Sequence, residues 1–313
     1  MAVFRSRLHL ALLLTTCQLL IATTLAMAQT TVLRVDPHDT DVSIETVHGP
    51  HLAVYDRQAL KAAQPRLLLF LVGTHAKAEG TLKLDTAFSR GGFHAISLDY
   101  ENNVVTVICA HSEDAGCFDR YRQTIVTGAS GSEKIQVDPA NSILNRFDKL
   151  LAYLVEHDPT GGWDDFFANG KPVWSRIVIA GHSQGSGHAA FIGKMFAVER
   201  VLILSGPQDF LDDLHEPAPW QSRPSATPAT RIFAFLNLKD EFNEQHQVAN
   251  CSVLMNLSPE QVKQETAMVQ PGESIQGSPR ILVNDIATKD HHNSTVLPEF
   301  ENVWKYMATT DVH

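Results

Sequence analysis

Beyond residue 28 the chain has no apolar run long enough to cross a bilayer, no block of basic residues, no internal repeat and no low-complexity linker. Each absence removes something. Without a long apolar run there is no stable membrane span. With 25 Lys and Arg against 35 Asp and Glu, and a formal net charge of −10, nucleic acid and anionic lipid are poor partners. Without a repeat or a linker, one domain is the expected organisation. Two motifs are also missing. There is no H-E-x-x-H or comparable spacing for a metal-dependent hydrolase, and no G-x-G-x-x-G for a dinucleotide. Neither a metal nor an organic cofactor is expected.

Cysteines are few. Cys109 and Cys117 bracket CAHSEDAGC and could close a short disulfide loop. A metal held with His111, Glu113 and Asp114 is the competing idea, but the spacing fits no standard zinc pattern. Cys251 reads as a buried thiol. At the N-terminus, Arg5 and Arg7 precede a mostly apolar stretch, and Ala26-Met27-Ala28 supplies small residues at its end. That is the layout of a secretory signal peptide over 1–28. A membrane anchor is disfavoured because Thr15, Thr16, Cys17, Gln18, Thr23 and Thr24 interrupt the run. Residues 29–313 should therefore form an exported, soluble domain, secreted or periplasmic.

What is present is an alternation of short apolar runs and helical patterns. Residues 66–72, 94–99, 176–180, 201–204, 231–236 and 280–285 are apolar without interruption, as suits strands covered on both faces. Residues 142–157, 184–199 and 295–308 repeat apolar positions at helical spacing. The pattern predicts a doubly wound, mostly parallel α/β sheet flanked by helices. TVLRVD, DVSIETVH and HLAVYD upstream alternate more and predict antiparallel edge strands. Two segments fall outside the alternation, 101–139 and the proline-rich 205–230. Each follows a strand, so each should form a cap or rim above the strand ends.

One strand ends oddly. RIVIA (176–180) runs into Gly181-His182-Ser183-Gln184-Gly185 and then a helical pattern. A serine hydroxyl is a weak nucleophile unless it is held clear of its neighbours and a base takes its proton. A sharp strand-to-helix turn, with glycines to relieve crowding, gives that presentation. On this GHSQG in its strand-turn-helix setting the chain resembles the α/β-hydrolase superfamily. The resemblance implies a serine hydrolase, with carboxylic-ester hydrolysis as the default and an exported peptidase as the neighbouring alternative. A binding protein that keeps the fold without turnover is the alternative from another class.

The same resemblance implies an acid and a histidine later in the chain, in that order. Asp240 follows strand 231–236, and His292 lies in TKDHHNST after strand 280–285. Ser183, Asp240 and His292 are thus the expected triad. Glu241 and Asp209 are rivals for the acid, although Asp209 reads more simply as a turn cap. His291 is the rival for the base. The amides of Gln184 and of Thr74, or His75, are the expected oxyanion donors, the latter two on the loop after strand 66–72. His182 and His188 read as packing or hydrogen-bonding residues. Tyr100, Trp220 and Phe210 are candidates for lining the pocket. The expected partner is a small-molecule or polymeric ester.

Overall fold

The computed structural model describes residues 30–45, 48–62 and 64–311. The leader expected at 1–28 lies outside the described residues. β1 (Thr30–Val35) and β2 (His51–Asp56) pair antiparallel, with one helical turn, α1 (Pro37–Thr40), between them. β3 (Leu67–Leu71), α2 (Leu82–Arg90) and β4 (His94–Leu98) follow. The chain then leaves the sheet for α3 (Cys117–Thr127), α4 (Ile143–His157) and a small hairpin of β5 (Phe167–Ala168) and β6 (Lys171–Pro172). β7 (Ile177–His182) leads into α5 (Gln184–Met195) and β8 (Arg200–Leu204). A second hairpin, β9 (Phe210–Leu211) with β10 (Glu216–Pro217), precedes β11 (Ile232–Asn237) and α6 (Glu244–Leu254). α7 (Pro259–Glu265), β12 (Thr266–Met268), β13 (Ile281–Asn284) and α8 (Glu301–Thr309) complete the order.

Among the described residues, nine strands form one sheet in the order β1-β2-β4-β3-β7-β8-β11-β13-β12. Only β2 runs against its neighbours; every other pairing is parallel. The reason is legible in the residues. β3, β4, β7, β8, β11 and β13 are buried at every position, as strands must be when helices cover both faces. α4 illustrates the covering layer. Ser142 caps it by accepting from the Asn145 amide, and Ile143, Phe147, Leu150, Leu151 and Leu154 make up its buried face.

Three expectations are corrected. DVSIETVH forms no strand over 41–45. Asp41 accepts from both the amide and the hydroxyl of Ser43, a local turn that competes with sheet pairing, and Ile44 plugs into the core. The helix expected over 295–308 begins only at Glu301. Pro298 holds Leu297 extended at φ −73°, ψ 137°, so the preceding residues form short 3₁₀ turns instead. The helix expected over 184–199 stops at Met195, where Phe196 turns extended. The two segments outside the alternation are tied to one another. Cys109 and Cys117 are disulfide-bonded at the head of α3, and Arg122 of α3 forms a buried ion pair with Asp209.

Asp85 of α2 is fully buried, its carboxylate accepting from Thr81 and Ser97. Burial raises its pKa to about 7, against the two hydroxyl hydrogen bonds that lower it. The unfolded chain loses this proton near pH 3.8 and the folded chain near 7. Stability therefore falls as pH rises between those values. Asp85→Asn has no proton to lose. Its melting temperature should exceed the wild type's by several degrees at pH 8, with the gain shrinking at pH 5. An equal shift at both pH values would contradict the assignment.

Candidate active site

Everything expected of the site lies at the carboxyl ends of β3, β7, β11 and β13. At the end of β7 the backbone of Ser183 takes φ 55°, ψ −122°, a region that a non-glycine residue occupies only under constraint. Its amide donates to the Leu204 carbonyl of β8, which fixes the turn. Crowding explains the glycine that follows. A Cβ on Gly185 would stand 2.0 Å from the Leu71 carbonyl oxygen, so only glycine lets α5 approach β3 this closely. Gln184 opens α5, so its N–H has no helical carbonyl to meet.

The loop after β3 comes up beside this turn. A Cβ on Gly73 would lie 3.1 Å from the Ser183 Cβ, so the two backbones are in near contact. Thr74 Oγ1 donates to Gln184 Oε1 at 2.6 Å, which joins the two residues expected to carry oxyanion donors. The amide of His75 is already used, donating to the Asn102 carbonyl at 3.2 Å. Of the two residues considered on this loop, Thr74 is the one that joins Gln184.

β11 and β13 are hydrogen-bonded neighbours in parallel register, with Asn237 opposite Asn284. The loops that leave them meet residue by residue. His292 Nδ1 donates to both oxygens of Asp240, at 2.8 and 3.0 Å. One residue back, His291 Nδ1 donates to Glu241 Oε1 at 2.7 Å, and the His292 amide donates to Glu241 Oε2 at 3.0 Å. Glu241 thus holds the histidine loop from outside while Asp240 holds the buried imidazole. On the other side, the His292 carbonyl accepts from His182 Nε2 and Ser205 Oγ, at 3.1 and 2.6 Å. His292 is fixed at its amide, its carbonyl and Nδ1. Its Nε2 has no hydrogen-bond partner among the described residues.

The electrostatics suit this arrangement. Burial pushes the Asp240 carboxyl up, but the hydrogen bond and charge of His292, with the Phe242 amide, outweigh it and leave the pKa below the usual value. Burial, with His292 nearby, drives His182 down to about 4, so that ring stays neutral and donates through Nε2. Burial and the Arg122 charge also hold His188 well below the usual histidine value.

Ser183, Gln184, His292, Gly73, Thr74 and His182 all line one cavity of about 460 Å³. Asp240 stands behind His292. Asp209 does not join them. It is more than a turn cap: Arg122 Nη2 and Nε donate to its carboxylate at 2.5 and 3.0 Å, and Trp220 Nε1 at 2.8 Å, and no histidine is among its partners. Tyr100 and Trp220 prove to be buried packing; Tyr100 donates to the Val72 carbonyl. Phe210 lines an adjoining cavity, stacked on His246. Val105, Val107 and Phe242, which the sequence did not single out, also line the main cavity, as does Asn293 beside the base. Their proximity to the catalytic candidates comes from tertiary structure, and only Phe242 and Asn293 had a local cue, next to expected site residues.

No protein-family model matches the chain, and no curated protein does. Among solved structures, it is similar to a hyperthermophilic esterase from the archaeon Pyrobaculum calidifontis, at 12% identity and a TM-score of 0.43, covering 91% of this chain and 84% of that one. It is also similar to the esterase domain of a Rhodothermus marinus protein, at 12% identity and a TM-score of 0.44, covering 90% and 98%. The chain's own strand order, its single reversed strand and the elbow between β7 and α5 make this the α/β-hydrolase fold.

Proposed function

We propose that this chain is an exported serine hydrolase that cleaves carboxylic esters. One observation carries the reading. His292 commits Nδ1 to Asp240 and keeps Nε2 free, within the cavity that Ser183 also lines. An imidazole so arranged is a base in the correct tautomer.

The chemistry follows from the positions. His292 Nε2 takes the proton from Ser183 Oγ as the oxygen attacks the ester carbonyl. The carbonyl π electrons move onto oxygen, which the amides of Gln184 and Thr74 stabilise at the amino end of α5. Asp240 stabilises the imidazolium. The tetrahedral intermediate collapses, the carbon–oxygen bond to the alcohol breaks, and His292 returns the proton to that oxygen. Water, activated by the same imidazole, then attacks the acyl-serine and frees the acid. No metal or organic cofactor is invoked. The leader at 1–28 and the Cys109–Cys117 disulfide support an exported domain over 29–313, with 101–139 and 205–230 as its cap or rim.

A fluorophosphonate probe should label folded wild-type protein at Ser183, and p-nitrophenyl esters should be hydrolysed while a peptide amide is not. Ser183→Ala should abolish both labelling and turnover without lowering the melting temperature. Folded protein that resists the probe would overturn the reading.

The acid and base can be separated from their neighbours. Asp240→Asn should lower kcat by about four orders of magnitude, since the amide cannot hold the reactive tautomer. His292→Ala should be nearly inactive, and His291→Ala should retain most turnover. Loss of activity in His291→Ala with activity kept in His292→Ala would reverse the assignment.

A further inference from the structure

Three exposed apolar side chains, Val105, Val107 and Phe242, line the cavity, and Phe242 stands against the base. Phe242 lies with its ring centroid 4.5 Å from that of His292, and it is 51% exposed. Its amide donates to Asp240 Oδ1 at 2.8 Å, so the acid that orients the base also positions this ring. Val107 is 42% exposed and lines the same cavity. It stands on a 3₁₀ turn, Thr106–Cys109, secured at one end by the Cys109–Cys117 disulfide. At the other end, the Tyr121 hydroxyl donates to the Val104 carbonyl at 2.5 Å. Val107 and Phe242 also line the adjoining cavity of about 290 Å³, so the space between them continues beyond the serine.

In the proposed reaction the imidazole must reach the departing oxygen, because it returns the proton there. The alcohol portion of the ester therefore lies beside His292, and the acyl portion lies away from it. We propose that Val107 and Phe242 form an apolar clamp for the alcohol portion, making this a hydrolase selective for esters of apolar alcohols. The inference deepens the ester-hydrolase reading and rests on it. Two large apolar side chains left open to water at a cavity mouth gain from being covered, and an alkyl or aryl alcohol covers both. The adjoining cavity gives longer chains the ring of Phe210 to cover, among polar side chains that include Asp212, Glu241 and His246.

Two ester series separate this from a general taste for apolar substrates. The first varies the alcohol, from ethyl to hexyl acetate. The second varies the acid, from ethyl acetate to ethyl hexanoate, adding the same number of carbons. A fully sheltered methylene contributes at most about fourfold in kcat/KM. With partial shelter, kcat/KM should rise roughly tenfold or more across the alcohol series and less across the acyl series. Phe242→Ala should flatten the alcohol slope and leave the acyl slope in place. Val107→Asn should do the same, which keeps the test open if Phe242→Ala folds poorly. A flat alcohol series, a steeper acyl series, or variants that leave the alcohol slope unchanged would overturn the clamp. If Ser183 takes the fluorophosphonate and ethyl esters turn over while the slope is flat, only the clamp fails. If neither occurs, the hydrolase reading fails and the clamp with it.

Discussion

The site depends on β11 and β13 being neighbours. Forty-three residues (238–280) lie between the end of one and the start of the other, yet their parallel hydrogen bonding sets Asn237 opposite Asn284. The Asn237 side-chain amide donates to Asn284 Oδ1 and to Ser294 Oγ, at 2.8 and 2.9 Å, so it reaches into the histidine loop itself. From that register two acids meet two histidines in order, Asp240 with His292 and Glu241 with His291. A slip of the strands would exchange or break the partners. Both carboxylates find their complement in the histidine loop, and His292 Nε2 is left without a hydrogen-bond partner among the described residues.

Beneath the elbow a second polar cluster does structural work. Arg122 is completely buried, and it joins Asp209 to the carbonyl of Gln184, the first residue of α5, at 2.6 Å. Removing one partner from such a pair would leave an uncompensated charge in the interior. The pair therefore binds the segment after β8 to the segment carrying the disulfide, and both to the amino end of α5. The cap-like segments are anchored under the site by charge as much as by packing.

The central strands and the elbow were legible because both follow from short-range chemistry. RLLLFLV and RIVIA can only be strands buried on both faces, and GHSQG can relieve a strained turn only where glycines stand. Asp240 and His292 could be named because the loops after 231–236 and 280–285 carry them in the order the resemblance implies. The rest was hidden for reasons of tertiary structure. Asp209 follows β8 just as Asp240 follows β11, and nothing local reveals that Arg122 from a distant helix claims it. DVSIETVH alternates like a strand, but Asp41 turns the chain through its own side chain. Val107 sits in a segment without periodicity, on a turn that ends at the disulfide, and only the fold brings it to the cavity that Phe242 also lines.

The bond between Asp240 and His292 can be observed without substrate. In the proton spectrum of the folded protein, the His292 Nδ1–H should resonate well downfield of the amide envelope. It should vanish in Asp240→Asn and in His292→Ala and persist in Glu241→Gln. A downfield resonance that survives Asp240→Asn, or one that depends on Glu241 instead, would contradict the account.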